Sequence, residues 1–165
     1  MAEQRREERA AREQPLPSRV ADEELSQRLI SYFLTEAWNK RDLAVVDQLF
    51  ASDAVGHDPA VPAVTDRETI KQFIAAYLTA FPDLQITVDD LFAAADKVAT
   101  RWTMRGTHKG EFLGIAPTEK TAVITGVTIY RLTNEKIAEY WAYWDSPGLV
   151  QQLGAARQEE PAKGA

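Results

Sequence analysis

The residues best suited to acid–base chemistry in this chain are two histidines and the carboxylates near them. His57 precedes Asp58, whose carboxylate could orient the imidazole, and histidine is the side chain that exchanges a proton near neutral pH. The pair stands in a predicted loop that enters a cavity, and loops often carry functional residues. His57 is therefore the first candidate for a general base or a substrate hydrogen-bond donor. The alternative is a surface turn histidine before Asp-Pro.

Asp145 is the second catalytic candidate, because it ends the aromatic run Tyr140-Trp141-Ala142-Tyr143-Trp144. Neighbouring rings could exclude water from its carboxylate and favour the protonated form, which a general acid requires. The alternative is structural. The sequence Asp145-Ser146-Pro147-Gly148 also suits the N-cap of a short last helix.

His108 and two arginines are weaker candidates. His108 lies in a glycine-bearing connection, where we expect it to shape the turn rather than perform chemistry. Arg101 and Arg105 share a strand face and, if buried, could hold a carboxylate or an enolate oxygen, although exposed arginines are commoner. The two histidines are far apart and the chain has no cysteine, so we expect no metal site.

The composition indicates one globular domain. The chain has 165 residues and 45% of them are hydrophobic, which is enough for one substantial core. Residues 1–19 carry alternating charges with almost no apolar side chains, and residues 155–165 are similar. We expect these two segments to be disordered tails on a domain at 20–154.

The charge and the missing cysteine exclude several classes of function. The net charge is −6 and no basic stripe with interleaved aromatic residues occurs, so a nucleic-acid partner is not favoured. Without cysteine there can be no disulfide, thiolate metal ligand or thiol nucleophile. There is no signal-peptide core and no apolar run of about 20 residues. We therefore expect a cytoplasmic protein without a membrane partner.

Hydrophobic periodicity predicts three helices in the first half of the domain. Asp22 is a suitable N-cap for the first helix, and Asp42 for a short second one. The capping box from Thr65 to Glu68 opens the third helix. The segment 51–59 between the second and third helices is predicted as a loop with at most a brief strand.

After Pro82, which stops the third helix, the sequence predicts strands and one last short helix. Strands begin at Leu84 and cover Val98–Thr107 and Thr121–Leu132, and Asn134-Glu135 makes a hairpin turn into the aromatic strand. Helices segregated from consecutive hairpins imply an α+β fold. We expect a curved antiparallel sheet packed against the N-terminal helices around a cone-shaped pocket.

Three segments resemble the SnoaL-like polyketide (ester) cyclases of the nuclear-transport-factor-2-like superfamily. They are Ala80-Phe81-Pro82-Asp83-Leu84, the glycine-bearing run from Gly106 to Thr118 (GTHKGEFLGIAPT), and the closing run from Gly148 to Gly154 (GLVQQLG). The resemblance implies an α+β cone and a small-molecule pocket. It also implies ring closure by intramolecular aldol condensation without metal, cofactor or Schiff base, in which one carboxylate transfers the protons.

The resemblance does not carry the family's catalytic group onto this chain. The family's catalytic aspartate aligns with Ala142, and its supporting histidine and glutamine align with Thr128 and Gly126. Pocket-wall positions align with Trp38 and Phe73, which keep the wall apolar. The fold and the pocket therefore transfer, and the aldol chemistry does not.

Alternation along the aromatic strand, combined with this alignment, places Tyr140, Ala142 and Trp144 towards the cavity. With Trp38, Phe73, Tyr77 and Thr128 they form the predicted substrate-binding wall. The other face of the sheet also carries apolar and aromatic residues, so we expect a homodimer or larger assembly.

Two functions follow as hypotheses. The first is a SnoaL-like cyclase or isomerase of secondary metabolism that acts on a small, mostly apolar, carbonyl-bearing molecule through His57 and Asp145. The second is a binding or accessory protein that keeps the fold and the pocket and has lost the acid–base centre, as Ala142 suggests. Analogy with relatives adds epoxide or double-bond chemistry as a third possibility.

Overall fold

The structure is a computed structural model that describes residues 18–154. The two predicted tails lie outside this range, except that Ser18 and Arg19 belong to the first helix. Five helical segments and five strands follow one another: α1 (Ser18–Phe33), its π-helical extension (Leu34–Asn39), α2 (Ala44–Leu49), β1 (Phe50–His57), α3 (Arg67–Ala80), β2 (Gln85–Ala94), β3 (Lys97–Thr107), β4 (Thr121–Thr133), β5 (Lys136–Trp144) and α4 (Ser146–Gln152).

The five strands form one curved, open sheet in the order β1-β5-β4-β3-β2, and the predicted α+β class is confirmed. β2, β3, β4 and β5 pair antiparallel in succession. Asn134 and Glu135 join β4 to β5 with positive φ angles of 50° and 59°. Two successive positive φ angles are typical of a type I′ turn, whose twist matches that of a two-residue hairpin.

The strand β1 corrects the prediction for residues 51–59. It spans Phe50–His57 and pairs in parallel with β5, with a register shift between Phe50 and Val55. Ser52 and Asp53 are poor strand formers, which is why the local sequence indicates a loop. The partner strand lies far later in the chain, so only the tertiary fold supplies the hydrogen bonds that make this segment a strand.

Two predicted helix starts also move. At α3 the N-cap is Asp66, which accepts a hydrogen bond from the Thr69 amide at 2.8 Å, and the Thr69 hydroxyl accepts one from the Asp66 amide at 3.0 Å. The capping box is therefore one residue later than the predicted pair Thr65 and Glu68, because an aspartate caps more strongly than a threonine. Asp22 lies inside α1 and is not its N-cap.

The helices cover one face of the sheet, here called the inner face. α1 and its π-helical extension contact β2, and α3 contacts β1. On β3 the predicted alternation is confirmed, since Trp102 and Met104 are buried on the inner face while Arg101 and Arg105 are exposed. The outer face leaves several large apolar side chains exposed: Val55, Val123, Val127, Ile129 and Tyr143. Within residues 18–154, no helix is long and apolar enough to cross a membrane.

Candidate functional site

A cavity of about 80 Å³ lies between the helices and the inner face of the sheet. One water needs only about 10–15 Å³, so this space takes a group of several non-hydrogen atoms. Its wall is mostly aliphatic and aromatic: Phe33, Leu34, Trp38, Phe50, Asp58, Ile70, Phe73, Ile74, Tyr77, Ile86, Trp102, Met104, Thr128, Tyr130, Tyr140, Ala142 and Trp144. All seven residues predicted as the substrate-binding wall are among them.

Asp58 supplies the only carboxylate of this wall. Its side chain is buried, with 7% of the residue exposed. One carboxylate oxygen accepts a hydrogen bond from the indole Nε1 of Trp144 at 3.0 Å, and the other accepts one from the Ala60 amide at 2.9 Å. Two donors therefore hold the carboxylate in place, and each oxygen keeps a free acceptor position.

The position of Asp58 follows from the alternation of β1. Ala54 and Gly56 are buried, Val55 and His57 are exposed, and the buried side of this alternation continues to Asp58. From sequence, Asp58 is assigned only an orienting role beside His57. The sequence signal that indicates a cavity position for Asp58 is the alternation over residues 54–58, because adjacent residues of an extended chain face opposite sides.

Three tyrosines line the same wall: Tyr77, Tyr130 and Tyr140. Burial, together with the charge of Asp58, raises the pKa of Tyr77 far above its usual value. The same two causes, in the same order, raise the pKa of Tyr140. Both hydroxyls therefore stay protonated at neutral pH and can donate a hydrogen bond to an oxygen atom that enters the cavity.

Trp102 fills the part of the inner face around Gly126. Its Nε1 donates a hydrogen bond to the Thr128 hydroxyl at 3.0 Å. A Cβ at residue 126 would overlap the six-membered ring of this indole, so the ring can lie here only because the residue is glycine. A buried indole N–H needs a partner, and Thr128 provides it.

His57 does not line the cavity. It lies on the outer face, where its Nε2 is 2.8 Å from Oε1 of Glu139 and its ring stacks on Trp141 with centroids 5.4 Å apart. Arg131 binds the other oxygen of Glu139 at 3.0 Å. The prediction that His57 enters the cavity is therefore wrong, because residue 57 belongs to the strand β1 and faces outward.

Asp145 is the N-cap of the last helix, which is the structural alternative to a catalytic role. Its carboxylate accepts a hydrogen bond from the Gly148 amide at 2.9 Å and caps α4. The side chain is exposed and does not line the cavity. Its predicted catalytic role therefore has no geometric support at this site.

The weaker candidates also lie away from the cavity. His108 is fully buried, stacks on Phe81 and pairs through Nδ1 with the Thr118 hydroxyl at 3.0 Å. Arg101 is exposed and binds Asp90 at 2.5 Å. Among residues 18–154, no group of three or more histidine, cysteine, aspartate or glutamate side chains is placed to hold a metal ion.

Comparison with known proteins decides the family. The model of the SnoaL-like polyketide cyclases matches residues 28–153, which is most of the chain. The chain belongs to the SnoaL-like polyketide cyclase family. A search of curated proteins gave no match for it.

Several solved structures share the fold. IdmH from Streptomyces antibioticus, a candidate polyketide cyclase, is 34% identical, with a TM-score of 0.69 over 78% of this chain and 98% of IdmH. TsrD from Streptomyces laurentii is 29% identical, with a TM-score of 0.72 over 80% of this chain and 96% of TsrD. AclR from Streptomyces galilaeus, a candidate hydroxylase, is 28% identical, with a TM-score of 0.67 over 83% of this chain and 89% of AclR. Family and neighbours together support a cyclase- or isomerase-type function.

The residues that the sequence resemblance predicts at the catalytic positions of the family lie close together on β4 and β5. Thr128 and Ala142 are direct cross-strand partners of β4 and β5, and Gly126 pairs with Trp144. Thr128 and Ala142 line the cavity. The carboxylate in the cavity wall is that of Asp58, which directly follows β1, and it does not come from β5.

Proposed function

We propose that this protein is a cofactor-free cyclase or isomerase in which Asp58 moves a proton on a small, mostly apolar, carbonyl-bearing molecule. The observation that carries the proposal is a buried carboxylate in the wall of an otherwise apolar cavity. A carboxylate at such a place can act as a general base on a C–H bond next to a carbonyl group. This proposal replaces His57 and Asp145 as candidate bases.

The proposed reaction balances without a cofactor. Asp58 takes a proton from the carbon beside the carbonyl, and the electron pair of that C–H bond moves into an enolate. The hydroxyls of Tyr77 and Tyr140 donate hydrogen bonds to the developing oxyanion. In an isomerase, Asp58 then returns the proton to another carbon. In a cyclase, the enolate carbon forms a C–C bond with a second carbonyl carbon, and the resulting alkoxide takes the proton back from Asp58.

Cyclohex-3-en-1-one tests the proposal as a small probe ketone. Its isomerisation to the conjugated cyclohex-2-en-1-one moves one proton from C2 to C4 and is followed by ultraviolet absorbance. We expect the protein to accelerate this reaction and Asp58→Asn to lower kcat by about 100-fold or more, which is typical for a lost general base. Asp145→Asn is the matched control, since asparagine keeps the cap of α4. An Asp58→Asn variant that is as active as the wild type would refute the role of Asp58.

A second candidate function is a non-catalytic small-molecule-binding or accessory protein. It is favoured by the alanine, threonine and glycine at residues 142, 128 and 126, which leave β4 and β5 without a carboxylate or a histidine in the cavity wall. This function predicts saturable binding of small ketones with no turnover of any of them by the wild type. Calorimetric titration beside the isomerisation assay separates the two functions.

We also propose that a second copy of the chain covers the outer face. The exposed side chains of Val123, Val127, Ile129 and Tyr143 lie on the adjacent strands β4 and β5 and form one apolar surface. Soluble monomers rarely leave such a surface uncovered. Size-exclusion chromatography with light scattering should give a dimer or larger species for the wild type and a smaller one for Val127→Glu. A monomeric wild type would contradict this assembly.

A further inference from the structure

We infer that the molecule accepted by this cavity carries a small tertiary or quaternary ammonium group, which binds beside Asp58 among the aromatic rings. The inference rests on the proposed function, because it names the class of carbonyl compound that the same site takes. It arises from two properties of the wall, the sign of its only charge and the density of its rings.

The first property is a buried negative charge that the protein does not balance. No lysine, arginine or histidine lines the cavity, and no basic side chain within residues 18–154 forms an ion pair with Asp58. Its two hydrogen-bond donors, Ala60 and Trp144, are neutral. A buried charge is costly unless an opposite charge accompanies it. A cationic ligand therefore gains an electrostatic attraction to Asp58 that a neutral ligand of the same shape lacks.

The second property is the number of aromatic rings in the same wall. Nine of the seventeen lining residues are aromatic, and three of these are tryptophans: Trp38, Trp102 and Trp144. The rings of Trp38, Phe73 and Trp144 all lie within 6.2 Å of the ring of Tyr77, centroid to centroid. Ring faces attract cations, tryptophan most strongly, and sets of rings of this kind recognise quaternary ammonium groups.

The wall also decides which kind of ammonium group fits. A primary ammonium group has three N–H donors that each need an acceptor. The cavity offers one carboxylate and a few hydroxyls, of which the Thr128 hydroxyl already accepts from Trp102. A methylated ammonium group, with one N–H or none, matches this wall because its methyl groups contact the rings. One free acceptor position of Asp58 can face the ammonium group while another faces the C–H bond.

Isothermal titration calorimetry with a pair of probes tests the inference. Choline chloride carries a trimethylammonium group, and 3,3-dimethylbutan-1-ol has the same shape with an uncharged carbon in place of the nitrogen. Both are titrated at one ionic strength into the wild type, Asp58→Asn and Asp145→Asn. Choline has no carbonyl group, so its binding does not depend on turnover in the isomerisation assay. Failure of the ammonium inference would appear only in the titration, and failure of the proposed acid–base function only in the isomerisation assay.

We expect the wild type and Asp145→Asn to bind choline at least tenfold more tightly than the uncharged alcohol. In Asp58→Asn the two probes should bind with nearly equal dissociation constants. Equal binding of the two probes by the wild type, binding of neither, or a choline preference that survives in Asp58→Asn would overturn the inference. Since the wild-type comparison decides by itself, the test holds even if Asp58→Asn fails to fold.

Discussion

His57 and Asp58 are neighbours in the chain, and their surroundings differ in almost every respect. His57 is on the outer face, where its Nε2 pairs with Glu139, whose other oxygen binds Arg131, and where its ring stacks on Trp141. Asp58 is on the inner face, buried, with neutral donors and no cation. A side chain that already has its partners in contact with solvent has little to offer a substrate. A charge that is buried and unbalanced has more to offer, and functional sites often contain such groups.

After substitution of Asp58 itself, the largest effect on this comparison is expected from the side-chain donor that holds its carboxylate. Trp144→Phe keeps a ring in the wall and removes the hydrogen bond to the carboxylate. A hydrogen bond to a charged group is worth about 1.5–3 kcal/mol, which corresponds to about a ten- to a hundredfold loss of kcat in the isomerisation assay. Trp102→Phe is the matched control, because its indole donates to Thr128 instead. Equal losses in the two variants would argue that general damage to the cavity, rather than the position of Asp58, sets the rate.

The next effect compares the two faces of β4 at adjacent residues. Gly126→Ala places a Cβ against the indole of Trp102, and overpacking of this kind costs about 1–3 kcal/mol of unfolding free energy. Thr125→Val, on the exposed outer face and also adjacent to residue 126, should change that free energy by no more than about 0.5 kcal/mol. Urea denaturation of both variants measures the difference. A Gly126→Ala variant as stable as the wild type would show that Trp102 does not occupy this position.

The smallest effect concerns the outer face and pH. Hydrogen bonds from His57 and from Arg131 lower the pKa of Glu139 below its ordinary value of 4.5. A carboxyl group with a lowered pKa in the folded state stabilises the fold above its unfolded pKa, and this contribution is lost as the pH falls through the folded value. The stability difference between the wild type and Glu139→Gln should therefore shrink as the pH falls from about 6 to about 3. A difference that does not vary with pH would contradict the pairing.

Local signals in the sequence were enough for most of the sheet and for the wall of the cavity. The Asn134-Glu135 turn and the alternation on both sides of it predict β4, β5 and their faces. Combined with the alignment to the resembled family, this alternation placed Tyr140, Ala142 and Trp144 at the cavity before the fold was known. Their use in binding a substrate stays a prediction.

The parts that could not be predicted depend on contacts between distant segments. β1 becomes a strand only by pairing with β5, and several of its residues, such as Asp53 and Gly56, are poor at forming strands. Once the segment is treated as a loop, no rule separates His57 from Asp58, and the histidine is favoured because of its chemistry. The parallel pairing makes the segment extended, so neighbouring side chains face opposite sides of the sheet. Asp58 therefore faces the cavity, where the sequence predicts His57.

The most direct test of the account is a comparison of these two neighbours in one assay. His57→Gln and Asp58→Asn each remove an ionisable group with little change in size, and both are measured for kcat with cyclohex-3-en-1-one. We predict a rate within about twofold of the wild type for His57→Gln and a loss of about 100-fold or more for Asp58→Asn. The reverse result, a large loss in His57→Gln and an active Asp58→Asn, would contradict the assignment of the acid–base centre to the inner face.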